Sequence, residues 1–424
     1  MKTRRTSPRL ALALLTGITT VGFIDRIVIN SVVEPIKLEF RLSDAQVGLL
    51  TGFAFAALYV FLGIFMARVA ERRRRLTQIA VGTFLWSIAT ALCGLASTWT
   101  HLLLARMGVG VGEAVGLPPN QSVVADYFPP ERRATAMSVL LLAPPIGAFI
   151  GGAGGAIIAQ AYGWRMAFLV AAVPGLILAI LVHLFIAEPK RGQFDTGDVE
   201  TVPPLSSVVG RFWRLPTARH LLLGSSIASM CGFGLNAFFA SLLIRRFGVS
   251  LAEAGVALGV LASLPAAVAV FFGGWISDRL GPARPGAYAL VPGISLLIGL
   301  PFYLLGILQE NYTLLLAFVG IASLFLFTYL GVTYGTLQNL MQARMRVTAY
   351  ALLNAIYAFM GGMGPLVIGA ISDRFQASGI DSGQALSWAL AITSLIYLWA
   401  AAHYLLAARH VGPDLARVRS GEPI

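Results

Sequence analysis

The chain has 424 residues, of which 57% are hydrophobic and only 12% are charged. A soluble domain carries about 25% charged residues, so a chain this poor in charge would expose large apolar patches to water. The composition excludes a soluble globular enzyme, a disordered chain and a fibrous repeat, and it indicates a polytopic membrane protein. The net charge of +12 does not indicate nucleic-acid binding, because the basic residues lie between apolar runs.

Apolar runs long enough to cross a bilayer, about 20 residues, occur twelve times along the chain. In chain order they lie near 10–33, 46–69, 76–97, 101–124, 134–158, 166–187, 220–244, 254–277, 286–308, 313–340, 348–371 and 386–408. Basic residues precede the first run, as in a signal peptide, but Asp25 and Arg26 follow with no cleavage site of the A-x-A type. We therefore predict an all-α membrane protein with twelve transmembrane helices.

The positions of lysine and arginine predict the orientation of these helices. If both termini and the even-to-odd loops lie on one side, that side holds 23 Lys and Arg residues and the other holds 6, while Arg26 and Arg106 lie within helices. Cytoplasmic loops of membrane proteins carry such an excess. We expect a multi-pass protein of the plasma membrane, or of the inner membrane if bacterial, with both termini in the cytoplasm.

A polar stretch that contains several prolines divides the chain near its middle. We predict an N-terminal six-helix bundle, a cytoplasmic linker and a C-terminal six-helix bundle, over residues 1–187, 188–219 and 220–424. Short motifs recur in the two halves: Arg72 and Arg279 are 207 positions apart, and Arg133 and Arg346 are 213 apart. Repeats in the same orientation are typical of transporters that bind substrate between the halves, near the bilayer midplane.

Four charged residues within the first and fourth predicted helices are the strongest candidates for a functional site. They are Asp25, Arg26, Arg106 and Glu113. A charged side chain at the bilayer centre costs about 2.5–3.5 kcal/mol on insertion scales and faces a cavity or a partner. By helical rise Asp25 and Arg106 fall at similar depth and could pair, and Arg106 and Glu113 share one helix face.

Two interpretations of these charges are open. Burial favours the neutral form of a carboxyl group, so Asp25 and Glu113 are candidate proton-coupling residues. An arginine keeps its proton, so Arg26 and Arg106 are candidates for binding an anionic group of the substrate, and Arg26 could instead hold Glu113. The alternative is a static buried ion pair that fixes helix packing.

Sequence signatures of catalysis are missing. The chain contains neither H-E-x-x-H nor G-x-S-x-G, no clustered acidic metal ligands and no Walker loop. Gly108, Gly112 and Gly116 lie four apart inside an apolar helix, which predicts close helix packing, not a dinucleotide loop. We therefore expect neither an enzyme nor an ATP-driven pump, and neither a metal nor a cofactor, with the proton as the coupling ion.

Several motifs resemble those of the major facilitator superfamily over essentially the whole chain. The stretch Gly274-x-x-x-Asp278-Arg279-x-Gly281 resembles the signature that follows the eighth helix. Glu71 and Arg72 occupy the equivalent place after the second helix, where both glycines of the signature are replaced. The resemblance implies the major facilitator fold and alternating access, and it implies cytoplasmic gating roles for Glu71, Arg72, Asp278 and Arg279.

Within that superfamily the chain is most similar to the spinster group. The matching stretches are residues 23–26, 49–55, 105–114 and 126–136. The resemblance implies a proton-linked transporter of lysolipid-like substrates such as sphingosine-1-phosphate and lysophospholipids. The alternative is a proton/drug antiporter for amphipathic compounds, since Ala143-Pro144-Pro145-x-Gly147 resembles the antiporter signature of the fifth helix.

In this superfamily the first, fourth, seventh and tenth helices line the substrate cavity. The resemblance therefore adds four polar residues to Arg26 and Arg106 as candidate substrate contacts: Asn30, Asn236, Tyr329 and Thr333. Each could instead form an interhelical hydrogen bond. The second half has no charged residue in mid-span, which favours an aromatic and apolar wall for a lipid tail. We expect a monomer that has membrane lipids and a lipid-like substrate as its partners.

Overall fold

A computed structural model describes residues 7–72, 74–117, 119–191, 194, 204–342 and 345–420. Over these ranges the chain is helical and contains no β-strand, as predicted. The first ten α-helices are α1 Pro8–Phe40, α2 Asp44–Gly48, α3 Ala54–Arg72, α4 Arg75–Gly94, α5 Trp99–Gly116, α6 Pro119–Tyr127, α7 Pro130–Leu140, α8 Ala143–Phe149, α9 Gly155–Tyr162 and α10 Trp164–Phe185. They are followed by α11 Leu205–Arg214, α12 Pro216–Phe247, α13 Leu251–Leu280, α14 Ala287–Ile307, α15 Tyr312–Leu326, α16 Tyr329–Leu340, α17 Arg346–Ala377, α18 Ser382–Ser394 and α19 Ile396–Arg419.

Among the described residues, eleven helical segments are long and apolar enough to cross a membrane, and they match eleven of the twelve predicted spans. The predicted span at 101–124 corresponds to α5, which ends at Gly116, and to the separate helix α6, which begins at Pro119. The charged side chains of Arg106 and Glu113 lower the mean hydropathy of α5. The helix α5 ends just before two successive prolines in the sequence, and a proline disfavours the helical conformation of the residue that precedes it.

Two π-helical turns interrupt the first half, at Leu49–Phe53 and Ile150–Gly154. A π-helical turn holds one more residue than an α-helical turn and shifts the direction of the side chains that follow. The first turn directly precedes α3, which supplies Phe55 and Tyr59 to the site described below.

Glycines bring α4 and α5 into backbone contact. A Cβ atom on Gly112 would lie 2.5 Å from the backbone nitrogen of Trp86, and one on Gly82 would lie 2.5 Å from the Cα atom of Gly116. Real Cβ atoms essentially never come this close to a neighbour. The predicted role of Gly112 and Gly116 in close helix packing is therefore confirmed.

The chain folds into two compact units. The first comprises Met1–Asp198, Asn236–Ile244 and Gly248–Ser263, and the second comprises Val199–Leu235, Arg245–Phe247 and Leu264–Ile424. In the first unit α4 packs against α5 and α10, and α1 packs against α8 and α10. In the second, α14 packs against α15 and α19, and α17 packs against α18. The predicted boundaries of the bundles and linker stay a prediction.

Candidate functional site

Arg26 on α1 and Glu113 on α5 form an ion pair inside the first unit. Arg26 Nη2 lies 2.5 Å from Glu113 Oε2, and Arg26 Nε donates a hydrogen bond of 2.7 Å to the same oxygen. The Glu113 side chain is fully buried, whereas 25% of the Arg26 side chain is exposed. The second carboxylate oxygen, Oε1, has no hydrogen-bond partner in the described part of the chain. The pair thus joins a fully buried acid to a partly exposed guanidinium.

Aromatic rings surround the guanidinium of Arg26. Its Cζ atom lies 5.0 Å from the ring centres of Phe55 and Tyr59 and 5.2 Å from that of Phe23. The rings of Phe55 and Tyr59 stack at 5.5 Å, one helical turn apart on α3. A cation within about 6 Å of an aromatic ring centre is attracted to the ring face. The rings therefore hold the cation in place and supply apolar surface beside it.

Gly110 allows α5 to approach α3 at this point. A Cβ atom there would lie 2.9 Å from the backbone oxygen of Phe55. Any larger residue would push α3 away and move the Phe55 ring from Arg26 and from Arg106, whose Cζ atom lies 5.8 Å from the centre of the same ring.

Arg106 contacts Asp25 through the backbone. Its Nη1 donates a hydrogen bond of 3.0 Å to the backbone oxygen of Asp25, and its side chain is almost fully buried. Both carboxylate oxygens of Asp25 are buried, and neither has a hydrogen-bond partner among the residues the structure describes. The predicted Asp25–Arg106 ion pair is therefore wrong. Successive side chains on a helix point about 100° apart, and α1 directs Arg26 towards Glu113 and Asp25 elsewhere.

The Asp25 carboxyl group lies close to polar side chains of α4. Thr90 and Trp86 are near enough to interact with it electrostatically. The Oγ1 atom of Thr90 and the Nε1 atom of Trp86 are buried and have no partner within the described ranges. Buried polar atoms without partners are rare in protein interiors, so this group is a candidate site for a proton or a bound water molecule.

In the second unit, Tyr329 and Thr333 lie on α16 and take part in a buried hydroxyl network. The hydroxyl groups of Thr333 and Tyr404 are 2.6 Å apart, and those of Tyr329 and Tyr357 are 3.4 Å apart. The interhelical hydrogen bond, the predicted alternative to a substrate contact, is thus present for Thr333. A narrow cleft beside the network is lined by Ser225, Tyr329, Leu330, Thr333, Tyr334, Leu353 and Tyr357.

The two candidate asparagines differ in burial and in the helix that carries them. Asn30 is buried on α1, one helical turn after Arg26, and its Oδ1 atom has no partner in the part of the chain described. Asn236 is half-buried on α12, in a segment that belongs to the first compact unit. Their roles as substrate contacts stay a prediction.

The four predicted gating residues lie at helix ends. Glu71 and Arg72 are the last two residues of α3, and their side chains fall outside the described part of the structure. Asp278 and Arg279 are exposed near the end of α13, and the Cζ atom of Arg279 lies 5.3 Å from the ring centre of Trp275. Their gating function stays a prediction.

A second buried ion cluster, which the sequence did not indicate, is centred on Arg75. Arg75 Nη1 lies 2.5 Å from Asp126 Oδ2 and donates a 2.8 Å hydrogen bond to Ser122, and its Nε donates one of 2.9 Å to Glu188. Glu188 also accepts a hydrogen bond from the backbone nitrogen of Leu76. The cluster joins the start of α4 to α6 and to the segment after α10. Arg75 is the last of four successive arginines, and the spacing of such a run does not distinguish a buried member from exposed ones.

Comparison with known proteins places the chain among transporters. The family profile of the Major Facilitator Superfamily matches residues 15–365. An MFS-type efflux pump of Mycolicibacterium smegmatis is 30% identical over 410 residues, which cover 94% of this chain and 92% of that protein. The sphingosine-1-phosphate transporter SPNS2 of Danio rerio is 25% identical over 394 residues, which cover 88% of this chain and 77% of that protein.

A solved structure is similar along the whole chain. It is a bacterial homologue of the human lysosomal transporter spinster in an inward-facing and unoccupied conformation. It is 31% identical to this chain and superimposes with a TM-score of 0.88, covering 97% of this chain and 98% of that one.

Proposed function

The chain belongs to the Major Facilitator Superfamily and resembles its spinster members, and we propose that it is a proton-coupled transporter of lysolipid-like substrates. The substrate is of the sphingosine-1-phosphate or lysophospholipid type, and the protein works by alternating access with both termini in the cytoplasm. The observation that carries the proposal is the contact between the buried Glu113 carboxylate and the partly exposed Arg26 guanidinium.

Proton and substrate compete for this contact. While Glu113 is ionised, its charge neutralises Arg26. When Glu113 takes up a proton, the attraction between the two side chains weakens and the guanidinium is released. An arginine presents several donors in a planar arrangement that suits a phosphate group. Protonation of Glu113 therefore exposes a binding site for an anionic head group.

Asp25 supplies a second protonatable group. An ionised carboxylate there would be buried without a cation in contact, and the desolvation of such a charge is costly. The neutral acid avoids this cost, and its hydroxyl group can donate a hydrogen bond. We assign Asp25 to proton coupling together with Glu113, with Arg106 fixing the backbone at Asp25.

The surroundings of Arg26 favour a substrate that has both an anionic and an apolar part. The guanidinium offers charge, while Phe23, Phe55 and Tyr59 offer apolar ring surface within 5.2 Å of it. A related protein is named for the transport of sphingosine-1-phosphate, which combines a phosphate with a long alkyl chain.

Efflux of amphipathic drugs is the second candidate function. It is favoured by the relative in Mycolicibacterium smegmatis that is named an MFS-type efflux pump. The two functions differ in the charge of the substrate, since Arg26 and Arg106 favour an anionic group.

A binding experiment with matched ligands tests the proposal. Purified protein is titrated with lysophosphatidic acid and with a monoacylglycerol of the same acyl chain, and then with a panel of cationic amphipathic drugs. We expect the phosphate-bearing lipid to bind more tightly than its neutral counterpart. Proteoliposomes then show whether an imposed proton gradient drives uptake of that lipid and whether a protonophore abolishes it. Tighter binding of the cationic drugs would support the efflux function instead.

A further inference from the structure

The helix α11, which precedes α12, belongs to the second unit and packs against its apolar core. Val208 and Phe212 are fully buried in an apolar cluster with Leu340 at the end of α16 and Met345 before α17. Leu415 of α19 packs against the same cluster. One face of α11 therefore has a fixed place in the fold.

Two charged residues fix the ends of neighbouring helices around α11. Arg211 is buried, and its Nε donates a hydrogen bond of 3.0 Å to the backbone oxygen of Leu340, the last residue of α16. Asp414 is buried, and its Oδ2 accepts a hydrogen bond of 2.9 Å from the backbone nitrogen of Thr217 in the first turn of α12. Terminal carbonyl and amide groups of helices need such partners. These bonds tie α11, α12, α16 and α19 together.

The opposite face of α11 is exposed, aromatic and basic. Trp213 is 56% exposed, Arg214 is exposed, and Arg219 Nη1 donates a 3.5 Å hydrogen bond to the backbone oxygen of Trp213. We call these three residues the Trp–Arg patch. Within the described segments 204–220 and 405–420 the sole acidic residue is the buried Asp414, so the patch has no countercharge from either segment.

The patch lies beside the first turn of a helix that is long and apolar enough to cross a membrane, and the ends of such helices are where a bilayer has its head groups. A single residue, Leu215, separates α11 from α12, which is one of the helices long and apolar enough to span a membrane. Arg219 is three residues inside α12, about 4.5 Å along its axis. Tryptophan and arginine are enriched at membrane interfaces, where the indole ring sits among head groups and the guanidinium faces the phosphates.

We propose that the Trp–Arg patch binds an anionic phospholipid of the cytoplasmic leaflet. The lipid phosphate accepts hydrogen bonds from Arg214 and Arg219, and the Trp213 ring lies beside the glycerol region. The leaflet follows from the proposed orientation, whereas the contact itself depends only on the position of the patch beside α12. Failure of the transport proposal would leave this contact intact, because the measurement below reads lipid contact at α11 and not transport.

A fluorescent label on α11 tests the proposal in lipid nanodiscs. Ser207 is exposed and both natural cysteines are buried, so a thiol-reactive probe will label the Ser207→Cys variant at one position. Quenching by brominated phosphatidylglycerol and by brominated phosphatidylcholine gives the relative affinity of the two lipids for this site. We expect phosphatidylglycerol to be preferred by about fivefold for each arginine, and the preference to fall as salt is raised.

Matched variants make the result specific. The double variant Arg214→Gln and Arg219→Gln should bring the preference close to one, whereas Arg132→Gln, which removes an exposed arginine of the first unit, should leave it unchanged. A label at Ser206→Cys should give the same preference as the label at Ser207. Equal quenching by the two lipids, or a preference that survives the double variant, would overturn the proposal. Quenching by neither lipid would overturn it too and would show that α11 faces water or a protein partner.

Discussion

Arg26 and Glu113 are 87 positions apart in the sequence, yet their side chains meet at 2.5 Å in the interior of the first unit. The acid is fully buried and the base is 25% exposed. In the proposed mechanism the proton binds Glu113 and the substrate binds Arg26. The two residues are therefore tested by different measurements.

Glu113→Gln keeps the shape of the side chain but removes its negative charge and its ability to take up a proton. We expect this variant to remain folded and to lose proton-driven transport to the level of empty liposomes, while exchange of substrate without a gradient continues. The measurement is uptake into proteoliposomes over a range of pH. Glu253→Gln is the matched control, because Glu253 is an exposed acid at the start of α13. Wild-type pH dependence in Glu113→Gln would exclude Glu113 as a coupling residue.

The two arginines should respond differently to substitution. Arg26→Ala removes a charge-assisted hydrogen-bond donor, and we expect it to weaken binding of a phosphate-bearing lipid by about 10- to 100-fold while a neutral lipid of equal tail is little affected. Arg26→Lys should restore part of the affinity, because a point charge does not reproduce the guanidinium fork. Titration of both lipids against each variant gives the comparison.

Arg106→Ala is expected to lower the unfolding temperature of the protein. Its effect on the preference for a phosphate-bearing lipid over a neutral lipid should be small. Arg106 is almost fully buried and donates to the backbone oxygen of Asp25, so its loss removes that interhelical hydrogen bond together with a large buried side chain. If Arg26→Ala and Arg106→Ala reduced binding of anionic and neutral lipids equally, the static ion-pair interpretation would be the correct one.

Asp25→Asn tests whether this carboxyl group has a structural partner. Because no ion pair is lost, we expect the unfolding temperature of the purified protein to stay at the wild-type value or to rise, in contrast to the removal of a paired buried acid. Proton-driven transport should nevertheless decrease. A marked loss of thermal stability would show that the Asp25 carboxylate has a stabilising partner and would contradict this expectation.

Arg75→Ala should be among the most destabilising substitutions of the chain. It removes the cation that contacts both Asp126 and Glu188, and breaking a buried ion pair in this way costs about 3–5 kcal/mol. The unfolding temperature in detergent measures the effect. Arg74→Ala is the control, because the neighbouring Arg74 is exposed and should tolerate the change. Equal unfolding temperatures for the two variants would show that the ion cluster around Arg75 does not stabilise the fold.

Gly112→Ala should loosen the packing of α4 on α5. The new Cβ atom would lie 2.5 Å from the backbone nitrogen of Trp86, and overpacking of this kind costs about 1–3 kcal/mol. Gly63→Ala, where no atom lies within 4 Å of the new Cβ, should be neutral or stabilising in the same thermal assay. Equal unfolding temperatures of the two variants would contradict close backbone contact at Gly112.

The sequence by itself determined the helical membrane fold, the resemblance to spinster transporters and the set of four charges from which the site is built. Hydropathy and helical rise are local properties, so the spans and the depth of Asp25 and Arg106 could be estimated without the neighbouring helices. The same local rules also predicted the glycine contacts of α5, because a spacing of four keeps Gly112 and Gly116 on one face.

Only the tertiary structure decided which acid meets which arginine. Equal depth allowed an Asp25–Arg106 pair, but the rotation of α1 about its axis directs Arg26 to Glu113 and leaves Asp25 beside α4. That rotation follows from the packing of whole helices on one another, which no local pattern encodes. The buried state of Arg75 depends in the same way on partners 51 and 113 positions away, whose arrival at one point is a property of the folded chain.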